Sequence, residues 1–424
     1  MKNKFSYTVI IVITILFFSS CGVNRKIEKD LTDESKENNY FRGLVVYNTK
    51  TGKEIVNYNG DKYFTPASNT KLFTFYAAYR TFKDSVTGLK YYHKADSLII
   101  KGTADPSFLY GFEGNKTLEF LKNTEKNIYL IDEHITERSF GPGWAWDDYQ
   151  YYYMPEKSLF PIYGNVITLN KVEDSINVKP SFFRKNFKVC ENTSFRRAVS
   201  ENIFYVKPDQ EIEDRNIPFK ISNQLVADIL GDTLQKKVVV IPPKKDVIFK
   251  EFKSVAYDSL YTEMLEVSDN FIAEQLMLQV GNKTDSTYSV EAGISYALDN
   301  YLQGIPQKPR WVDGSGLSRY NLFTPESYVY LLKKMYKEIP TEKLLSYFPV
   351  GGKSGTLKNY YKTYTPYIFA KSGTLSNNYN LSGYLVTKKG TVLIFSFMNN
   401  HYMGDSKYRK YEMEEFFKML YEKY

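Results

Sequence analysis

Ser68 and Lys71 lie three positions apart in FTPASNTKLFTFYAA (64–78), at the head of an apolar-periodic run. A serine hydroxyl needs a base before it becomes a good nucleophile, and histidine is the usual partner. This chain has only three histidines, His93, His134 and His401. It holds no Gly-x-Ser-x-Gly elbow, which disfavours an α/β-hydrolase. It also lacks a His-Glu-x-x-His run and paired cysteines, which removes the common zinc hydrolases. A Ser-Lys pair is what remains, and residues 68–71 form the only Ser-x-x-Lys in the sequence. For Lys71 to take a proton near neutral pH, its pKa must fall from about 10.4 toward 7, or about 4–5 kcal/mol of destabilised charge. Burial and a second cation are the standard causes. Taken alone Ser68 reads as a helix N-cap, so its chemistry depends on its company.

Two further patterns supply that company. Lys-[Ser/Thr]-Gly occurs at Lys50, Lys353 and Lys371, and only Lys371 ends an apolar strand-like run with two more runs after it. Ser-x-Asn begins at Ser175, Ser200, Ser268 and Ser376. Only Ser268 stands between two amphipathic helical runs, where a loop can project into a cleft.

These residues need elements to position them. GLVVYNTKTGKEIVNY (43–58) reads as a hairpin around a Lys-Thr-Gly turn. Leu72, Phe75, Tyr76 and Tyr79 recur at helical spacing, with Ser or Asn at the start as cap, so Ser68 and Lys71 share a face at a helix N-terminus. From about 92 to 247 the texture becomes short β-branched and aromatic runs broken by Gly, Pro and Asn. DSLYTEMLEVSDNFIAEQLMLQV reads as two helices meeting at Ser268-Asp269-Asn270. The C-terminal end gives strand-like YIFAKSG, NLSGYLVT and TVLIFSFMN, then helical EMEEFFKMLYEKY. The sum is an α+β domain over 40–91 and 248–424, interrupted by a mostly β insertion over 92–247.

The first residues address the chain. MKNKFSYTVIIVITILFFSSCG carries two lysines, an apolar core and small residues before Cys21, and so reads as a secretory leader over 1–20. Small residues directly before a cysteine resemble a bacterial lipoprotein signal, which implies lipidation of Cys21. Residues 21–39 are charged and poor in large apolar groups, so they read as a tether. One cysteine besides Cys21, Cys190, leaves no internal disulfide, and the exported fold must rest on packing.

Ser-x-x-Lys, Ser-x-Asn and Lys-[Ser/Thr]-Gly in this order form the signature of penicillin-binding proteins and class A β-lactamases. With SLIIKGTADPSF, GWAWDDYQYYY, VSDNFIAEQL, VDGSGLSRYNLFTP and AKSGTLSNNYNLSGYL, the sequence resembles the low-molecular-mass class C penicillin-binding proteins, the D-alanyl-D-alanine carboxypeptidase/endopeptidase family S13. That resemblance implies a serine β-lactamase/DD-peptidase-like domain, an antiparallel sheet with helices on both sides and a helical subdomain. It implies Ser68 as nucleophile, Lys71 as base, Ser268 as proton relay, and Asn270 as a hold on the substrate backbone. Lys371 would supply positive field, Ser372 and Thr374 in the Ser372-Gly373-Thr374 run would bind a terminal carboxylate, and the Ser68 and Thr374 amides would form the oxyanion hole. A side-chain pocket would use Asp147, Tyr152 and Arg319, with Trp144 and Ser376 nearby, to grip the zwitterionic end of a meso-diaminopimelate side chain. The implied partners are peptidoglycan stem peptides, with β-lactams as covalent inhibitors.

Composition bounds the rest. The chain has 424 residues, 43% hydrophobic, with a formal charge of +8. That mild surplus suits an acidic polymer, and no zinc-finger, homeodomain or RRM pattern accompanies the basic clusters, so nucleic acid is not an expected partner. No metal or organic cofactor is implied, and the membrane enters only through the lipid anchor of a periplasmic protein. Two other functions fit the three motifs: a serine β-lactamase-like hydrolase, or a non-catalytic wall-binding lipoprotein. Glu173-Asp174-Ser175-Ile176-Asn177 mimics a β-lactamase deacylation loop, but it precedes Ser268 where that loop should follow.

Overall fold

The computed structural model describes residues 39–172, 175–191, 196–207, 215–244 and 246–424. The leader, Cys21 and nearly all of the expected tether lie outside these residues, as do Glu173 and Asp174. The described residues form two compact units, one from within 39–69, 304–310 and 321–424, the other from within 70–303 and 311–320.

The first unit is built on a five-stranded antiparallel sheet in the order Ile368–Leu375, Asn378–Val386, Val392–Asn400, Phe41–Asn48, Lys53–Tyr58. The expected hairpin is present as Phe41–Asn48 and Lys53–Tyr58, and its first strand pairs with the last strand of the chain, Phe41 opposite Asn400. Strand Val392–Asn400 is buried on both faces, which explains its continuous apolar run. Leu393, Phe395 and Phe397 join Leu44, Val46 and Leu381 in a core with Met413, Phe417 and Leu420 of helix Ser406–Lys423. Helix Pro325–Glu338 packs on strands Val392–Asn400 and Phe41–Asn48. It begins on a Thr324 hydroxyl that accepts from the Ser327 amide, with Pro325 in its first turn.

The second unit combines helices and sheet. Helices Lys71–Thr81, Tyr257–Glu266, Asn270–Asp285 and Val290–Asn300 pack together, Phe75 meeting Tyr261 edge to face at 5.3 Å. Beside them runs a mixed sheet in the order Val238–Ile241, Asn127–Ile131, Ser97–Lys101, Ser85–Lys94, Lys250–Ala256. Its outer and inner pairs through Asn127–Ile131 are parallel and the others antiparallel. Strand Ser85–Lys94 runs across position 91/92, and its partner Lys250–Ala256 lies beyond 247. Two three-stranded sheets and helix Asn223–Leu234 complete this layer around a core that includes Leu98, Ile100, Leu130, Ile167, Phe183 and Ile229.

One local expectation changes. The helix after Ser68 begins only at Lys71 and grows out of a 3-10 turn, Ala67–Thr70. Thr70, in helical backbone, precedes it without a side-chain cap bond, so neither Ser68 nor Asn69 is the cap residue. The tighter turn before the helix replaces the cap.

Candidate active site

In the first unit, Ser68 sits on the turn Ala67–Thr70 and is half-buried, whereas residues 64–67 and 69–78 are all buried. Ala67, just before it, has φ of 51°, in the left-handed region that side chains disfavour. A buried polar network holds this turn to the sheet. Asn69 Nδ2 donates to Ser382 Oγ at 2.8 Å, Asn380 Nδ2 to the Thr65 carbonyl at 2.9 Å, and the Thr65 amide to Asn400 Oδ1 at 2.6 Å. Ser382 bonds Ser396 and Asn400 bonds Asn380, so the polar side chains satisfy one another inside otherwise apolar strands.

Strand Ile368–Leu375 lies against the same turn. A Cβ on Gly373 would sit 2.4 Å from the Pro66 carbonyl oxygen and 2.9 Å from the Asn69 nitrogen, so only glycine lets the backbones approach this closely. Lys371 lies within this strand rather than at its end and is fully buried, its Nζ donating to the Ser372 carbonyl at 2.9 Å. Ser372 Oγ donates to Thr356 Oγ1 at 2.8 Å. Thr356 follows the Lys353-Ser354-Gly355 run set aside on sequence grounds, and its link to Ser372 had no signal beyond that repeated tripeptide. Thr374 and Ser376 are exposed.

In the second unit, Ser268, Asp269 and Asn270 lie between helices Tyr257–Glu266 and Asn270–Asp285, as the periodicity predicts. Asp269 caps the second helix, its Oδ1 accepting from the Ile272 amide at 2.8 Å and its Oδ2 from Tyr110 at 2.8 Å. Ser268 has φ of 65°, a second strained backbone position in the left-handed region. Asn270 faces two ways: its Nδ2 donates to the Tyr153 carbonyl at 2.8 Å, and its Oδ1 accepts from Lys71 Nζ at 2.6 Å. Lys71, fully buried, also donates to the Ser315 carbonyl at 2.8 Å. Burial lowers its pKa from 10.5 to about 8, against the opposing pull of the Asp269, Asp313 and Glu274 carboxylates. A lysine poised there exchanges its proton near neutral pH.

Trp144 belongs to the same unit and donates its Nε1 to Asp313 Oδ2 at 2.9 Å. Asp313 also accepts from the Gly316 and Ser318 amides at 2.8 and 2.6 Å, which folds the loop carrying Arg319 around a buried carboxylate. A Cβ on Gly143 would meet the Tyr320 ring at 2.6 Å, so the Trp144 segment lies directly on that loop. Asp147 and Arg319 are exposed, and Tyr152 is 67% exposed. In VDGSGLSR only Arg319 carries an expected role. Asp313 and Ser315, which shape the surroundings of Lys71, lie in the same run.

The sequence matches the D-Ala-D-Ala carboxypeptidase 3 (S13) family over residues 23–200 and 221–420. The chain belongs to that family. As an S13 protein it is 25% identical over 449 residues to the D-alanyl-D-alanine carboxypeptidase DacB of Haemophilus influenzae, covering 92% of each chain. It is 23% identical to a D-alanyl-D-alanine carboxypeptidase of Actinomadura sp. strain R39, over 85% of this chain and 78% of that one. Its structure is similar to the crystal structure of penicillin binding protein 4 (dacB) from Haemophilus influenzae, with a TM-score of 0.77 and 22% identity over 93% of this chain and 99% of the other. The α+β DD-peptidase-like fold expected of this S13 chain is therefore the fold it has.

Proposed function

We propose that this S13 protein is a penicillin-sensitive serine D-alanyl-D-alanine carboxypeptidase/endopeptidase acting on peptidoglycan stem peptides through an acyl-enzyme on Ser68. The observation that carries the reading is Lys71: a lysine three residues after an accessible serine, fully buried, fixed by Asn270 Oδ1 and the Ser315 carbonyl, and lowered to about 8. Ser68 Oγ attacks the carbonyl carbon of the penultimate D-Ala while Lys71, as the neutral amine, takes the hydroxyl proton. The tetrahedral adduct carries its negative oxygen at the Ser68 and Thr374 amides. Ser268 passes the proton from Lys71 to the leaving amine, the C–N bond breaks, and terminal D-Ala departs. Water then attacks the ester carbonyl, giving its proton to Lys71; the C–O bond to Ser68 Oγ breaks, Lys71 returns the proton to that oxygen, and the shortened peptide leaves.

Lys371, Ser372 and Thr374 are assigned to the terminal carboxylate. The two hydroxyls donate to it, and the buried lysine supplies the positive field. Asp147, Tyr152 and Arg319, with Trp144 and Ser376, are assigned to the side chain at the third position of the stem peptide, where opposite charges suit a zwitterion. The leader and the residues before Asn39 support export to the periplasm and lipidation at Cys21. The test is release of D-Ala from a pentapeptide ending in D-Ala-D-Ala. The wild-type protein releases it and Ser68→Ala does not; equal release by both would remove Ser68 from the mechanism.

A further inference from the structure

Helix Asn270–Asp285 brings a second acidic group toward Lys71, one turn beyond Asn270. Glu274 is 1% exposed, on a helix whose residues 271–280 are all buried. Its Oε1 accepts from the Ser315 amide at 2.7 Å, and the carbonyl of that same Ser315 accepts from Lys71 Nζ at 2.8 Å. Glu274 Oε2 is buried with no hydrogen-bond partner. A carboxylate that exposes one oxygen to no donor is poorly solvated, so its charge is felt strongly by its neighbours.

We propose that Glu274 is a positioning residue for Lys71: its carboxylate fixes the Ser315 backbone that receives the lysine, and its charge sets how tightly Lys71 holds a proton. This rests on the reading of Lys71 as the base of acylation. Asp313 approaches Glu274 from the loop after Trp311, and Lys157 from the segment after Met154, itself paired with Glu137. Lys71 faces Asp269 and Asp313 as well as Glu274, so Glu274 is one of three carboxylates that favour its protonated form. Burial, then Asp313, raises the Glu274 pKa to about 7, while Lys157, the Ser315 bond and the Gly314 amide favour its ionised form.

The experiment is the pH profile of penicillin acylation for the leaderless wild type, Glu274→Gln and Glu274→Asp, with melting curves recorded alongside. Glu274→Gln keeps an oxygen that can accept from the Ser315 amide and removes the charge. Lys71 then gives up its proton more readily, and the acid limb of the acylation rate moves to lower pH by about one unit. Glu274→Asp keeps the charge, so its acid limb stays near that of wild type even where the rate falls. An unshifted limb in Glu274→Gln, or the same displacement in both variants, overturns the proposal. So does a Glu274→Gln protein that no longer folds, since the carboxylate would then be a structural requirement. A wild type that is not acylated at any pH overturns instead the assignment of Ser68 and Lys71 on which the inference rests.

Discussion

At the residue scale the decisive group is Lys71. Its pKa lies near 8 because burial strips its ammonium of water, and the shift from 10.5 corresponds to about 3 kcal/mol. Two consequences have definite signs. With Lys71 as the proposed base, acylation needs the neutral amine, so the rate of penicillin acylation should rise as pH passes upward through about 8. Lys71→Arg, charged at every working pH, loses ~10³-fold. Stop-flow mixing with a chromogenic β-lactam reads both. For stability, the folded pKa is lowered and the unfolded one is not, so folding of the charged form is disfavoured in full below about pH 8. That penalty is relieved as pH rises from about 8 toward 10.5, because the unfolded chain then binds the extra proton. The melting temperature of the wild type should therefore rise relative to Lys71→Met across this window. A constant difference between the two would mean that Lys71 is not held as the structure holds it.

At the element scale, the fit of strand Ile368–Leu375 against the Ser68 turn is the feature most sensitive to a small change. Gly373→Ala places a methyl 2.4 Å from the Pro66 carbonyl oxygen, and backbone on both sides leaves no flexible side chain to yield. It should reduce acylation at least ~10²-fold and stability by about 1–3 kcal/mol, measured by acylation kinetics and urea unfolding. Near wild-type values for both would contradict the close approach. The elements around this contact were legible to different degrees. Phe41–Asn48 with Lys53–Tyr58, and helices Tyr257–Glu266 and Asn270–Asp285, could be read because their periodicities and turn residues are local signals. The pairing of the first strand with the last could not, since contact between positions some 350 residues apart leaves no local trace. Nor could the roles of Asn380, Ser382, Ser396 and Asn400 be read. A polar residue in an apolar strand looks like a flaw in the pattern until the turn it holds is known. The start of helix Lys71–Thr81 misled for a related reason: Ser68 and Asn69 are good cap residues by type, but the chain enters through a 3-10 turn.

At the scale of the whole molecule, S13 family membership over most of the chain joins the three short motifs into one reading, which each motif alone is too common to support. The addressing segment makes a separate prediction. If Cys21 carries the anchor, Cys21→Ser moves the protein from the membrane fraction to the soluble periplasmic fraction without altering the D-Ala release of the purified enzyme. A variant that stays with membranes would exclude the cysteine as the attachment. Ser68 as nucleophile stands or falls on intact-mass spectrometry of the leaderless protein treated with penicillin and followed over hours beside Ser68→Ala. One long-lived penicilloyl adduct on the Ser68 peptide and none on the variant is the expected result. Absence of an adduct in both proteins would contradict it, as would penicillin consumed while the protein mass stays unchanged.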